Sequence, residues 1–346
     1  MTESQRDEAL KSPGIKGIEP NTPLTPSSVM MKPAERVDIP SKAKRAFDFD
    51  TQRDAVTELV SISQPSTVPD ASPLKNYVFE SNNGRKSFVY HVEFGVAFRN
   101  HPEEFPNVAD THIFTQKARA LGRRAEGDNS VPAFHSTCTA GRAVGQQYGA
   151  AKKATLVVVV MGEYHLLEMI SAFSELLAHF RENPERRGAS VITMSLSGPI
   201  FQPSIILQVT LLAETIGEIL ALGVPVAVSA GNDARIPRRE NVDTVPGIFA
   251  GQAYPLIGGP QVTLHAVGEG VTCLMDGDIP GTKTGTSYAV PLVAAEVADL
   301  LSYDDVPFPT DDGQLAYHVR DYLVSDASSW ARRGNICADH TCVNKP

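Results

Sequence analysis

A turn and an apolar helix meet in the stretch Gly285-Thr-Ser-Tyr-Ala-Val-Pro-Leu-Val-Ala294, with Ser287 at the predicted start of the helix. A serine at that place is exposed and lies near the positive end of the helix dipole. Backbone N–H groups at a helix start can stabilise an oxyanion, which acyl-transfer chemistry requires. An N-cap serine is also common and chemically inert, so this stretch alone leaves both interpretations open.

Before this stretch, strand-like apolar runs alternate with longer segments of helical spacing. The predicted strands are 88–96, 155–161, 190–196, 225–230 and 262–267. The predicted helices are 50–62, 166–180 and 205–222. Near-continuous Val and Ile runs are typical of strands that are buried on both faces. We therefore expect an α/β fold of three layers, in which helices cover both faces of a mostly parallel central sheet.

Composition limits the domain organisation and the partners. The chain has 346 residues, 42% of them apolar, which is enough for a large core. We expect a disordered or extended, proline-rich tail over 1–50, one catalytic domain over 51–325 and a second tail over 326–346. The net charge is −9, from 40 acidic and 31 basic residues, and no basic cluster is present that could follow a phosphate backbone. We therefore do not expect nucleic acid to be a partner.

Targeting and membrane signals are weak. The first ten residues contain four charged side chains where a secretory signal would have an apolar stretch, so no signal peptide is visible. Localisation stays open between the cytoplasm and a domain of a larger or processed chain. The longest apolar run, Leu156-Val-Val-Val-Val-Met161, is far short of the roughly 20 residues that span a bilayer, so no membrane partner is expected. The sequence does not indicate the oligomeric state.

Four cysteines are too few for a scaffold built on disulfides. For Cys337 and Cys342 we expect two thiols or one disulfide and no metal site, because a fourth ligand is missing.

Three stretches resemble segments of the subtilases, the subtilisin-like serine peptidases. The stretch around Ser287 resembles G-T-S-x-A-x-P-x-V-A, including Pro291 inside the helix, which helix propensity disfavours. His135-Ser-Thr-Cys-Thr-Ala-Gly141 resembles H-G-T-x-V-A-G, and Gly223-Val-Pro-Val-Ala-Val-Ser-Ala-Gly-Asn232 resembles a strand that ends in A-G-N. The resemblance is nearest to proteinase K-like and fungal members. It implies Ser287 as nucleophile, His135 as general base and Asn232 as oxyanion donor.

A fourth stretch, Ser190-Val-Ile-Thr-Met-Ser-Leu-Ser-Gly-Pro199, resembles the family's M-S-L-G-G-P strand, which lines the substrate channel. The resemblance implies that the substrate is bound by residues of this strand and of the A-G-N segment, namely Ser195, Leu196, Ser197, Gly198, Ala230 and Gly231. Ser197 stands where glycine is usual. We expect its Cβ to narrow the specificity pocket, so that large side chains before the scissile bond are cleaved more slowly than small ones.

The acidic position departs from the family pattern. Tyr90-His-Val-Glu93-Phe-Gly resembles the segment that begins D-T-G, with Glu93 in place of aspartate, and Ser136 follows the histidine where glycine is usual. Glu93 would hold His135 in the tautomer whose other nitrogen faces Ser287. The order Glu93, His135, Ser287 is the subtilisin order of acid, base and nucleophile.

The resemblance thus implies a serine endopeptidase that acts on polypeptides without a cofactor. Two alternatives remain: a pseudoprotease that only binds peptides or proteins, and an esterase or transpeptidase that uses the same acyl-enzyme. Structural calcium is common in the family, but the spacing of the loop carboxylates assigns no site to Asp276, Asp278, Asp311 or Asp312.

Overall fold

The computed structural model describes residues 11, 48–63, 74–127, 133–196, 206–229, 248–251, 264, 266–274, 280–306, 308–310 and 312–324. The strands of these residues are β1 (Phe49–Gln52), β2 (Tyr77–Glu80), β3 (Phe88–Glu93), β4 (Ile113–Phe114), β5 (Thr155–Val160), β6 (Ser190–Met194), β7 (Val226–Ser229), β8 (Ile248–Gly251), β9 (Val271–Cys273) and β10 (Gly281–Lys283). The α-helices are α1 (Thr57–Ile62), α2 (Gln116–Ala120), α3 (Ala133–Val144), α4 (Leu166–Glu182), α5 (Ile206–Ala221), α6 (Thr286–Leu301) and α7 (Leu315–Val324). A 3₁₀ helix, Pro184–Ala189, precedes β6.

The central sheet contains six parallel strands among the described residues, in the order β4-β5-β3-β6-β7-β8. In register, Glu93 at the end of β3 is opposite Val160 of β5, and Val92 is opposite Met194 of β6. The carboxyl ends of these three strands therefore lie at one edge of the sheet. Binding sites of open parallel sheets form at this edge.

The sheet is covered on both faces. Along β5, Val158 and Val160 pack into a core cluster with residues of α3 and α6, whereas Val157 and Val159 pack into a second cluster with residues of α4 and α5. Successive side chains of a strand point to opposite faces, so a run of valines supplies apolar surface to both layers. The three-layer α/β architecture predicted from the sequence is confirmed.

Two local predictions differ from the structure. The segment 50–62 is not one helix: β1 pairs with β2 in a two-stranded antiparallel sheet, and α1 begins only at Thr57. Asp54 has a positive φ of 50°, which a continuous α-helix does not allow, so the chain turns there. The four-residue β8 was not predicted. Residues 262, 263 and 265 of the predicted strand 262–267 lie outside the described residues, and its described residues 264, 266 and 267 do not form a strand.

No helix in the described part of the chain has both the length and the apolar character needed to cross a bilayer. Most of the first predicted tail and all of the second lie outside the described residues, and β1 crosses the predicted boundary at residue 50. The division into tails and one domain stays a prediction.

Candidate active site

The site lies at the carboxyl edge of the sheet. Glu93 is the last residue of β3, and Ser195 directly follows β6. Two helices begin beside this edge: α3 places His135 in its first turn, and α6 places Ser287 in its first turn. The fold thus assembles an acid, an imidazole and a hydroxyl from segments that are far apart in the sequence.

Glu93 and His135 are in close contact. Glu93 Oε1 lies 2.9 Å from His135 Nδ1, and the Glu93 side chain is 1% exposed. Oε1 accepts no well-aligned hydrogen bond, so Glu93 acts on His135 mainly through its negative charge. The second oxygen, Oε2, accepts a hydrogen bond of 3.3 Å from the buried Ser136 hydroxyl. Ser136 therefore faces the carboxylate, and the sequence alone did not decide between this orientation and one toward solvent.

The surroundings of His135 set its proton affinity. Burial lowers the pKa of His135, but the negative charge of Glu93 and its contact with Nδ1 outweigh burial, so the pKa is raised above its ordinary value. Because the carboxylate faces Nδ1, the proton of the neutral ring is favoured there and Nε2 is left as the basic nitrogen. The ring of His135 also packs edge to face on Tyr288, the neighbour of Ser287, with centroids 5.6 Å apart.

A second histidine, His91, lies beneath the site and was not singled out from the sequence. It precedes Glu93 by two residues on β3, and strand geometry puts such residues on the same face. The Thr139 hydroxyl donates to the His135 carbonyl at 2.9 Å and lies 2.8 Å from His91 Nε2. Burial lowers the pKa of His91 to about 4, against the opposing charge of Glu93, so His91 is neutral near pH 7. The period-two spacing of His91 and Glu93 could have indicated this neighbour.

Ser287 is held by Ser195. The Ser287 hydroxyl donates to the Ser195 carbonyl at 2.9 Å, and the Ser195 hydroxyl donates to the Ser287 carbonyl at 2.8 Å. The hydroxyl of the free protein therefore points to the end of β6 and not to His135.

A disulfide joins Cys138 of α3 to Cys273 of β9. Both residues are buried, and Cys138 lies about one helical turn after His135. The pairing was not predicted, because connectivity between distant cysteines cannot be read from their spacing. It ties the helix that carries His135 to the β9–β10 hairpin, which leads into α6.

No protein-family model matches the chain. The sequence is 29% identical over 271 residues to a subtilisin-like protease of Coccidioides posadasii, covering 72% of this chain and 60% of that protein. It is 29% identical over 245 residues to subtilisin-like protease 5 of Trichophyton tonsurans, covering 67% and 57%. It is 28% identical over 278 residues to alkaline protease 1 of Aspergillus flavus, covering 76% and 62%. The aligned region thus spans about 60% of the length of these curated relatives.

Solved structures show the same architecture. A cold adapted subtilisin-like serine proteinase superposes with a TM-score of 0.61 at 23% identity, covering 84% of this chain and 96% of that one. The fold is subtilisin-like. A second structure, described as S41 psychrophilic protease, superposes with a TM-score of 0.53 at 21% identity, covering 73% and 86%. Together with the fungal relatives, these matches confirm the resemblance to fungal subtilases that the motifs predicted.

Several predicted site residues of this subtilisin-like chain lie outside the described residues. They are the predicted oxyanion donor Asn232 and the predicted substrate-binding residues Ser197, Gly198, Ala230 and Gly231. The carboxylates Asp276, Asp278 and Asp311 and the cysteines Cys337 and Cys342, for which no metal site was predicted, also lie outside the described residues. Of the predicted substrate-binding set, Ser195 and Leu196 are described, and both are buried.

Asp312 is also described. It accepts a hydrogen bond from the Gln314 N–H and contacts His318. Within the described ranges, no group of three or more His, Cys, Asp or Glu side chains is placed to hold a metal ion.

Proposed function

We propose that the chain is a serine endopeptidase that hydrolyses peptide bonds through Glu93, His135 and Ser287. The observation that carries this proposal is the 2.9 Å contact between buried Glu93 and His135 Nδ1, beside the helix start that bears Ser287. A carboxylate at Nδ1 is the arrangement that makes Nε2 a general base. The curated relatives are themselves named as proteases, which supports the same function.

The chemistry follows from these positions. His135 Nε2 takes the proton of Ser287 as its oxygen attacks the peptide carbonyl, and Glu93 stabilises the imidazolium that forms. The oxyanion is held by the N–H of Ser287 at the start of α6 and by Asn232, each such donor contributing about 3 kcal/mol to the barrier reduction. His135 then returns the proton to the leaving amine. Water attacks the acyl-enzyme in the same way and releases the second product.

The nucleophile must turn before it reacts. In the free protein the Ser287 hydroxyl donates to the Ser195 carbonyl, whereas attack requires donation to His135 Nε2. Rotation about the Cα–Cβ bond makes this change, and catalytic hydrogen bonds often tighten only when substrate is bound. The substrate backbone adds as a strand beside Ser195 and Leu196, so it is recognised mainly through main-chain hydrogen bonds. Binding and activation therefore involve the same segment.

The two alternatives differ in what they require of the site. A pseudoprotease that only binds peptides does not need Glu93 beside His135. Burial of a carboxylate costs folding free energy, and a catalytic role of Glu93 explains why the protein bears this cost. An esterase or transpeptidase would use the same three residues, because it shares the acyl-enzyme. It differs in whether an amine competes with water for that intermediate.

Hydrolysis of a quenched fluorescent peptide library by the full chain tests the proposal. We expect new amino termini to appear with the wild type and with Ser63→Ala, a control serine whose hydroxyl donates to the Val60 carbonyl. Ser287→Ala should abolish cleavage. Peptide binding without cleavage by the folded wild type would establish the binding protein instead. A dominant amide product when a free amine is added would establish acyl transfer.

A further inference from the structure

Arg142 is the largest fully buried side chain of the described residues. It lies on α3, about two turns after His135, and its guanidinium contacts three separate segments. Nε donates to the Tyr288 carbonyl at 2.7 Å, and Nη1 lies 2.9 Å from Glu58 Oε1. Nη2 donates to the Val267 carbonyl at 3.2 Å. Arg142 therefore joins the helix of His135 to the residue that follows Ser287.

Glu58 completes this network from the N-terminal side. It lies on α1, is 4% exposed and accepts a hydrogen bond of 2.7 Å from the Thr272 N–H with the oxygen that faces Arg142. Thr272 lies in β9 next to Cys273, which is bonded to Cys138 of α3. The ion pair and the disulfide thus meet at one strand.

Packing alone does not explain a charged pair at this place. Removing two charges from water costs several kcal/mol per ion before their attraction is counted, and apolar side chains of similar volume are often as stable or more stable. An apolar residue cannot bind the Tyr288 carbonyl. The planar fork of arginine can hold a carbonyl and a carboxylate at once, in fixed directions.

We propose that Arg142, oriented by Glu58, is a positioning residue that fixes the start of α6 relative to α3, and so Ser287 relative to His135. The proposal rests on the proposed function of those two residues. Misplacement of reacting groups by about 1 Å can cost on the order of 100-fold in rate, so a rigid link between the two helices has a direct catalytic effect. It also makes α1 part of the catalytic unit, because α1 supplies Glu58.

Two variants of the full chain test this role. Arg142→Met with Glu58→Met replaces the ion pair by apolar groups, and Arg142→Lys keeps the charge but loses the fork. The matched control is Arg119→Met with Glu175→Met, which removes an exposed ion pair between α2 and α4. For each protein we would measure the melting temperature, the rate constant of labelling by a fluorophosphonate, and kcat and KM on a peptide.

We expect both Arg142 variants to fold and to label at least about tenfold more slowly per folded molecule, with kcat lowered and KM little changed. The control pair should label at the wild-type rate. Unchanged labelling in the folded variants would overturn the proposal. If the double variant does not fold, Arg142→Lys decides the question alone.

Amide hydrogen exchange over 285–295 separates this proposal from the proposed function. We expect faster exchange at the start of α6 in the Arg142 variants than in the control pair, whether or not the wild type reacts with the probe. Faster exchange with an unreactive wild type would mean that the helix link is real and the peptidase assignment is wrong. Unchanged exchange together with unchanged labelling would mean that Arg142 serves only packing.

Discussion

Ser195 and Ser287 exchange two hydrogen bonds, each hydroxyl donating to the backbone carbonyl of the other residue. The sequence of α6 explains one of them. In a regular helix the carbonyl of Ser287 would accept from the residue four positions later, but that residue is Pro291, which has no N–H. The Ser195 hydroxyl supplies the missing donor. The end of β6 and the start of α6 are therefore held together as one unit.

Ser195→Ala removes the donor to the carbonyl of Ser287. We expect the free energy of unfolding to fall by about 1–3 kcal/mol, because a partly buried carbonyl loses its partner. We also expect fluorophosphonate labelling of the folded protein to slow about tenfold, because the start of α6 is no longer held against β6. Urea unfolding and labelling kinetics measure the two effects.

Ser87→Ala is the matched control for this change. Ser87 is also buried, and its hydroxyl donates to the backbone carbonyl of Gly84. It directly precedes β3, whereas Glu93 is the last residue of that strand. Its loss should lower stability without slowing the labelling of folded molecules. Equal slowing in both alanine variants would contradict a specific role of Ser195.

Glu93→Gln should change the pH dependence of labelling. Glu93 raises the pKa of His135 against the effect of burial, and only neutral His135 can accept the proton of Ser287. Removing the charge lowers the pKa of His135. In a plot of the labelling rate constant against pH, the acid limb should therefore move to lower pH, and the maximal rate should fall. Glu163→Gln, which alters a partly exposed Glu–His contact at His165, should leave the acid limb of the pH profile unchanged. An unshifted limb in Glu93→Gln would show that the carboxylate does not control His135.

The same contact predicts a direction for stability. The folded state binds a proton at His135 more tightly than the unfolded chain does, because the folded pKa is raised. The stabilisation is therefore fully present below the unfolded pKa and is lost as the pH rises through the folded pKa.

Ser136 and Glu93 should act together. Ser136→Ala removes a hydrogen bond of 3.3 Å to the buried carboxylate. We expect labelling to slow by up to about tenfold, because a bond of this length lies at the lower end of the roughly 1.5–3 kcal/mol that hydrogen bonds to charged groups contribute. In a Glu93→Gln background the same change should have little further effect, because the hydroxyl acts through the charge. Full additivity in this double-mutant cycle would mean that Ser136 acts by another route.

The disulfide should stabilise the folded protein by lowering the conformational entropy of the unfolded chain. It closes a loop with a sequence separation of 135 residues, for which chain entropy predicts up to about 5 kcal/mol. Cys138→Ala with Cys273→Ala should therefore lower the free energy of unfolding by about 2–5 kcal/mol. Equilibrium urea unfolding under non-reducing conditions measures this loss, and a change below 1 kcal/mol would contradict a stabilising role.

The sequence predicted the features that depend on local pattern. The valine run of β5 and the helical spacing of α4 indicated the buried parallel sheet and one of its covering layers, and the motif order indicated that Glu93, His135 and Ser287 belong to one site. Features that depend on partners distant in the chain were missed. β1 is a strand because β2 lies beside it.

Side-chain partners were missed for the same reason. Arg142 pairs with Glu58 across 84 residues, and Cys138 pairs with Cys273 across 135 residues. Neither pairing has a signal in the spacing of residue types. The burial of Arg142 could not be predicted from the sequence either, because an arginine within a helical pattern is usually a surface residue.

Covalent labelling by a fluorophosphonate, with the adduct located by mass spectrometry, tests the central claim most directly. We predict a single adduct on Ser287 in the wild type and no labelling in folded Ser287→Ala or His135→Ala, because only a serine activated by a general base reacts readily. A folded wild type that remains unlabelled, or labelling that persists in His135→Ala at the wild-type rate, would contradict the assignment of Glu93, His135 and Ser287 as one catalytic unit.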